Sequence, residues 1–129
     1  MNKKITYLIL LISSSSLYAE WSATLDLDVG GVAYIEKDTI RKIDGYVYFW
    51  GMTDYNERNE YGDLSSQVYY QGDCKNNRFK TISYSFFKFN TGRGEADHQD
   101  SVDKDWKYPK PRTVSTSLLE AACKHIGEG

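Results

Sequence analysis

The chain has 129 residues and a formal net charge of −2. That length fits a single domain. The mildly acidic balance excludes binding that is driven by the phosphate field of nucleic acid, and it also excludes a polybasic anchor on anionic lipid. No nucleic-acid partner is therefore expected.

The N-terminus has the pattern of a secretory signal. A short segment with two lysines (residues 1–4) precedes a mostly apolar stretch (residues 5–12), and serines and small residues follow up to Ala19. This order predicts a signal peptide over residues 1–19, with cleavage between Ala19 and Glu20. A transmembrane helix needs about 20 apolar residues, so this run is too short to span a bilayer.

Residues 20–129 are predicted to form one exported domain, found in the periplasm or secreted. No later segment is long and apolar enough for a membrane span, so none is expected.

Strand patterns occupy most of this domain. The dipeptide Asp44-Gly45 favours a type I′ hairpin turn. The segment that follows, residues 46–52, is apolar or aromatic on both faces, as in a central strand covered on each side. Period-two alternation and β-branched or aromatic residues predict the strands, over residues 21–29, 32–35, 39–43, 46–52, 67–74 and 79–89.

Residues 90–105 carry two glycines, many charges and few apolar side chains, so we predict a mobile loop or a β-turn excursion there. His98 lies in this acidic stretch. A solvated loop is the favoured interpretation, and an imidazole oriented by a carboxylate, or a loose cation site, is the alternative. The chain has no Gly-x-Ser-x-Gly elbow to place a nucleophile, and no catalytic residue is assigned.

A short helix is predicted near the C-terminus. Ser117 and Glu120 have the spacing of a capping box, and Gly127 is a typical C-terminal stop. Apolar residues then recur at helical spacing on one face, at Leu119, Ala122, Cys123 and Ile126.

Cys74 and Cys123 are the only cysteines. In an exported domain they are predicted to form one disulfide, which closes a loop worth about 4 kcal/mol in the chain-entropy model. A reactive thiol or a metal site is disfavoured, since there is no Cys-x-x-Cys and neither histidine has ligand spacing to a cysteine. No metal or cofactor is expected. The bridge would pin the helix onto a sheet.

The predicted fold class is α+β: an antiparallel sheet of about five to six strands, with the C-terminal helix packed on one face and one disulfide. A closed or partly open barrel is the alternative.

The aromatic side chains suggest a binding surface. Tyr46, Tyr48 and Trp50 share one face of a strand, and Tyr69 falls on the polar face of a predicted neighbour. Tyrosine and tryptophan combine contact area with a polar tip, which suits interfaces. Core packing or cover by the helix remains the alternative for each of them.

The chain resembles the surface-adhesin protein E-like family over essentially all of residues 21–124. The features that carry the resemblance are short motifs in order along the chain: Trp21, Ala33-Tyr34-Ile35, Asp38 to Lys42, Gly45, Val47, Trp50, Asp54-Tyr55, Ser65-Ser66, Asp73-Cys74, Arg78, Gly92, Gly94, Trp106, Pro109, Leu118 and Cys123.

The resemblance implies an envelope-associated, non-enzymatic module that binds a protein ligand, adhesin-like toward host matrix or serum proteins. A soluble periplasmic inhibitor, sensor or accessory protein that acts on one bacterial partner is the alternative. The family's founding adhesin has a cysteine at the cleavage site for a lipid anchor, whereas residues 17–20 here have none, so no lipid anchor is expected. A homodimer is a further expectation, because exposed strand edges pair.

Overall fold

The computed structural model describes residues 20–28, 30–100 and 103–127. The predicted signal peptide, residues 1–19, lies outside the described residues. Within these residues the structure has seven strands and one α-helix: β1 (Trp21–Asp26), β2 (Gly31–Glu36), β3 (Arg41–Ile43), β4 (Tyr46–Tyr55), β5 (Ser65–Asp73), β6 (Arg78–Phe89), β7 (Arg93–Asp100) and α1 (Val114–His125).

The described residues include no helix with the length and apolar character that crossing a membrane requires.

The strands form one antiparallel sheet in the order β1-β2-β4-β5-β6-β7. β2 and β3 lie on the same side of β4, where β2 pairs with residues 51–55 and β3 with residues 46–48. The pairings within the described ranges run from β1 to β7 and leave the sheet open. The predicted α+β class is confirmed, and the alternative of a closed barrel is wrong.

The helix α1 packs on one face of this sheet and encloses the core. Gly51 on β4 and Gly72 on β5 lie directly beneath it, where an added Cβ would meet the side chains of Leu118 and Leu119. The helix and the sheet therefore approach closely because two strand positions carry no side chain. The buried core consists of Ile35, Ile40, Val47, Phe49, Tyr70, Phe79, Leu118, Leu119, Ala122 and Cys123.

Cys74 and Cys123 form the predicted disulfide, with their Cα atoms 5.8 Å apart. Cys74 directly follows β5, and Cys123 lies in the last turns of α1. The bridge joins the helix to the central part of the sheet, as the sequence predicts.

The backbone conformation confirms two features predicted from the sequence, the turn before β4 and the end of α1. Asp44 and Gly45 have φ values of 51° and 84° between β3 and β4, which agrees with the predicted type I′ turn. Gly127 ends α1 with φ 83°, in the left-handed conformation that glycine adopts without strain.

Two predicted elements are wrong. Residues 93–100 form β7, paired with β6, rather than a mobile loop. The helix starts at Val114 with Thr113 as its N-cap, which accepts a hydrogen bond from Thr116 N at 3.3 Å, rather than at a capping box on Ser117. The Ser117 hydroxyl instead donates to the carbonyl of Thr24 in β1 at 3.1 Å and ties the helix to the sheet edge.

Candidate binding face

The face of the sheet opposite α1, called the open face below, is set by strand alternation. Gly51 and Gly72 face the helix, so Tyr48, Trp50 and Gln71 point the other way. Register then places directly paired residues of neighbouring strands on the same face. The open face therefore collects alternate side chains from all the central strands.

The four aromatic residues singled out from the sequence meet on the open face. Tyr46, Tyr48 and Trp50 come from β4 and Tyr69 from β5. The Trp50 and Tyr69 rings stack with centroids 4.7 Å apart, and the Tyr48 and Tyr69 rings lie at 6.2 Å. All four side chains are half-buried. They lie opposite the helix, which does not cover them, and their role in binding stays a prediction.

Trp106 adds a fifth aromatic ring that sequence reasoning did not assign to this surface. Its ring lies 5.3 Å from Tyr46. Arg78 Cζ and Lys80 Nζ lie 4.4 and 4.8 Å from its centroid. The next residue, Lys107, forms an isolated antiparallel bridge with Phe79 on β6. This pairing is a contact distant in sequence, so no local pattern around Trp106 signals it.

A row of four side chains crosses the open face. Arg41 on β3 pairs with Tyr48, Tyr48 with Gln71, and Gln71 with Lys80 on β6. Gln71 Nε2 donates to the Tyr48 hydroxyl at 3.1 Å. The row thus has a cation at each end and two hydrogen-bonded polar groups in the middle, and we call it the cross-strand row.

Arg41 acts electrostatically on the aromatic cluster. Partial burial, together with the neighbouring Tyr48, raises the pKa of the Tyr69 hydroxyl, and the positive charge of Arg41 opposes that rise. The Arg41 guanidinium also donates to the carbonyls of Asp38 and Ile40 at 3.1 and 3.2 Å. These two bonds hold the exposed side chain at the margin of the cluster.

A buried carboxylate supports the end of the face near Trp106. Asp73 accepts hydrogen bonds from Arg78 Nε at 2.8 Å and from Asn76 Nδ2 at 2.9 Å. Desolvation raises the pKa of this carboxyl, but the hydrogen bonds from Asn76 and Arg78 outweigh it, and the net pKa lies below its ordinary value. The ion pair fixes the Arg78 side chain over the Trp106 ring.

His98 lies on the edge strand β7 and not in a loop. Its Nδ1 is 2.7 Å from Ser85 Oγ, and its Nε2 is 3.0 Å from Asp100 Oδ1. The imidazole and the Asp100 carboxylate are 54% and 82% exposed. This arrangement matches the alternative of an imidazole oriented by a carboxylate. Because both side chains are exposed to solvent, their interaction contributes little to stability.

A second surface lies on the same face of the sheet as α1, at β6 and β7, where the helix does not cover it. A hollow of about 570 Å³ is lined by residues that include Tyr61, Tyr84, Phe86 and Asp97. The Tyr84 and Phe86 rings meet edge to face at 5.4 Å, and both are half-buried. This pair resembles Trp50 and Tyr69 in burial but lies on the opposite face of the sheet, so it serves as a matched control.

The remaining predicted site residues are structural or lie elsewhere. Cys74 and Cys123 hold the helix to the sheet. Ala19, on one side of the predicted cleavage point, lies outside the described residues, and Glu20 on the other side is exposed.

A small disulfide-bonded sheet with one face covered by a helix and the other bearing aromatic side chains defines a compact α+β module suited to surface contacts. The family model for Surface-adhesin protein E matches residues 21–124. The chain belongs to this family. No curated protein sequence gives a significant match.

Solved structures share the fold. Crystal form II of Haemophilus influenzae protein E is 17% identical, with a TM-score of 0.61 over 84% of this chain and 99% of that one. Protein E from non-typeable Haemophilus influenzae is 16% identical, with a TM-score of 0.58 over 89% of this chain and 82% of that one. At these identities the likeness establishes the fold alone.

Proposed function

We propose that this chain is an exported, adhesin-like module that binds a protein ligand non-enzymatically through its open face. Membership of the Surface-adhesin protein E family supports the general class. The proposed ligands are host extracellular-matrix or serum proteins.

The observation that carries the proposal is the position of the aromatic cluster. Trp50, Tyr69, Tyr48 and Tyr46 lie on the sheet face that α1 leaves uncovered, and each side chain is half-buried. Tyrosine and tryptophan are enriched at protein interfaces because they bury a large area at a low cost in side-chain entropy. A rigid central strand pair holds these rings, so little ordering would be needed on binding.

Binding is tested with the exported protein on immobilised matrix and serum proteins. Replacement of Trp50 and Tyr69 together by alanine is expected to weaken binding by about tenfold or more, as for interface anchors. The control variant replaces Tyr84 and Phe86, an aromatic pair of similar burial on the helix side, and is expected to bind normally. Equal loss in both variants, or no loss in either, would reject the open face as the binding surface.

Export and cleavage after Ala19 are part of the proposal. Fractionation of cells, with surface protease treatment of intact bacteria and mass determination of the processed chain, tests both. A surface location requires cleavage by protease on intact cells or recovery of the processed chain in the medium. Protection until the outer membrane is breached would favour a periplasmic inhibitor, sensor or accessory role instead.

A further inference from the structure

We infer that the cross-strand row selects an acidic ligand: an extended peptide segment of the protein partner that lies across the strands and places carboxylates on Arg41 and Lys80. The inference rests on the proposed function and adds the chemical class of the ligand.

The cations of the row are free of carboxylate partners among the described residues. The ion pairs in these parts of the chain join Arg78 to Asp73, Lys88 to Asp63, His98 to Asp100 and Lys107 to Asp103. Arg41 donates hydrogen bonds to two backbone carbonyls, and Lys80 lies over the Trp106 ring. The adjoining carboxylate, Asp73, is already bound by Arg78. A chain with a net charge of −2 thus displays unpaired positive charge beside its aromatic cluster.

Charge complementarity then indicates an acidic partner. Opposite electrostatic potentials on the two sides of an interface speed association and fix how the two partners are aligned. An arginine and a lysine without a carboxylate partner among the described residues gain most from carboxylates, since hydrogen bonds to ionised groups are the stronger ones. Aromatic rings beside them exclude water, which reduces the screening of each pair.

The spacing of the row matches an extended peptide. Arg41 and Lys80 lie on β3 and β6, which are separated by three strand intervals. At about 4.8 Å per interval the two positions are roughly 14 Å apart. A peptide in the β conformation advances about 3.3 Å per residue and alternates its faces, so side chains four residues apart share a face about 13 Å apart. Two acidic residues at that separation reach both cations.

The middle of the row also suits such a segment. Gln71 and the Tyr48 hydroxyl lie between the two cations and offer polar groups to a ligand residue halfway along. Trp50 and Tyr69 form the adjoining row and supply an apolar border. A tyrosine two residues from each acidic side chain would lie over Gln71 and the Tyr48 hydroxyl, beside this border.

Fluorescence anisotropy with a labelled peptide tests the inference directly. The probe has about a dozen residues and repeats Asp-Ser-Tyr-Ser, which puts every aspartate and tyrosine on one face of an extended chain. Replacement of Arg41 and Lys80 by glutamine is expected to weaken its binding by about tenfold, and added salt is expected to weaken binding to the unaltered protein.

The control variant replaces Lys110 and Lys124, which are exposed outside the row, by glutamine. It changes the net charge equally and is expected to keep the affinity of the unaltered protein. Two control probes accompany it. Asparagine in place of aspartate is expected to weaken binding by about tenfold as well, and aspartates three residues apart, which alternate between faces, are expected to bind several-fold more weakly.

The outcomes separate this inference from the proposed function. Equal weakening in the Lys110 and Lys124 control, or preferential binding of heparin over every acidic peptide, would overturn the acidic-peptide assignment. If host proteins require Trp50 and Tyr69 but bind unchanged after the loss of Arg41 and Lys80, the open face stands and the charge assignment is wrong. If neither pair affects host-protein binding, the proposed function itself fails.

Discussion

The absence of a side chain at Gly72 sets the distance between helix and sheet. A Cβ at this position would lie 2.7 Å from Leu119 Cδ1 and 2.8 Å from Val47 Cγ1. These atoms belong to fully buried side chains with little room to shift. Replacement of Gly72 by alanine is expected to lower the free energy of unfolding by about 1–3 kcal/mol, as for other overpacked cores. Urea denaturation measures the change.

A double-mutant cycle identifies the cause. In a Leu119→Ala background the nearest clash is removed, so Gly72→Ala is expected to cost less there, by about 0.5 kcal/mol or more. Equal costs in the two backgrounds would show that contacts within the sheet, such as the one with Val47, and not contact with the helix, determine the effect.

The buried carboxylate of Asp73 links stability to pH. Hydrogen bonds from Asn76 and Arg78 hold its pKa in the folded protein below the ordinary value of 3.8. A carboxyl with a depressed pKa contributes stability that is fully present above the unfolded pKa and is lost as the pH falls through the folded pKa. Asp73→Asn is therefore expected to cost about 1–3 kcal/mol at neutral pH, and less in acid.

Urea denaturation of both proteins between neutral pH and about pH 2.5 checks this prediction. The control is Asp105→Asn, since Asp105 is exposed, and the expected change there is small at every pH. A cost for Asp73→Asn that stays constant down to acid pH would contradict a contribution from the ionised carboxylate.

At the scale of elements, the disulfide matters because it joins the two layers of the fold. Cys74 and Cys123 are 49 residues apart in sequence and connect the end of β5 to the last turns of α1. Replacement of both by serine is expected to cost about 2–4 kcal/mol, mostly through the greater freedom of the unfolded chain. The helix is only 12 residues long, a length that is marginal in isolation, so its docking should weaken first.

Urea denaturation, monitored by circular dichroism and by tryptophan fluorescence, tests whether the helix undocks before the sheet unfolds. In the variant, helical signal is expected to fall at lower urea than the fluorescence of the three tryptophans, Trp21, Trp50 and Trp106, which all lie outside the helix. Addition of reductant should reproduce the effect in the unaltered protein and leave the variant unchanged. Coincident transitions in both proteins would show that helix and sheet unfold as one unit without the bridge.

The elements differ in how clearly the sequence predicts them. The apolar run of strand 46–52 and the apolar helical face follow from local pattern because burial selects their side chains. The Asp44-Gly45 turn follows because these two residues tolerate positive φ. β7 does not, since all of its side chains are exposed and its strand conformation comes from pairing with β6. The helix start was misplaced because Ser117 and Glu120 fit the capping pattern, although Thr113 provides the cap.

The candidate site was predictable only within single strands. Alternation along β4 already places Tyr46, Tyr48 and Trp50 on one face. The position of Arg41 and Lys80 at the two ends of one row depends on the register of three strand pairs. Register is fixed by turns and bulges, including the irregularity between Tyr69 and Tyr70, which composition does not reveal.

At the scale of the whole molecule, α1 gives the two faces of the sheet different surroundings. α1 and the disulfide occupy one face and account for the core, and the aromatic cluster occupies the other. Changes that affect stability and changes that affect binding should therefore separate by face. This separation makes the open face a surface on which variants can be tested without loss of the fold.

The two edges of the sheet are expected to differ in local stability and in self-association. β7 contributes backbone pairing but no buried side chain, so its amides should exchange through local opening, whereas those of β4 and β5 should require global unfolding. The acidic side chains of Glu95, Asp97 and Asp100 also oppose pairing of β7 with a second copy. The expected homodimer would then form through β1 rather than β7, since β3, which also lies at an edge of the sheet, is only three residues long.

Hydrogen exchange measured by mass spectrometry at low and high protein concentration tests this expectation. Peptides over residues 93–100 should exchange quickly at both concentrations, and those over residues 21–26 should become protected as the concentration rises. Light scattering gives the oligomeric state in the same samples. Protection of residues 93–100 that grows with concentration would place the contact at β7, and the charges along that edge would then have to be neutralised by the partner.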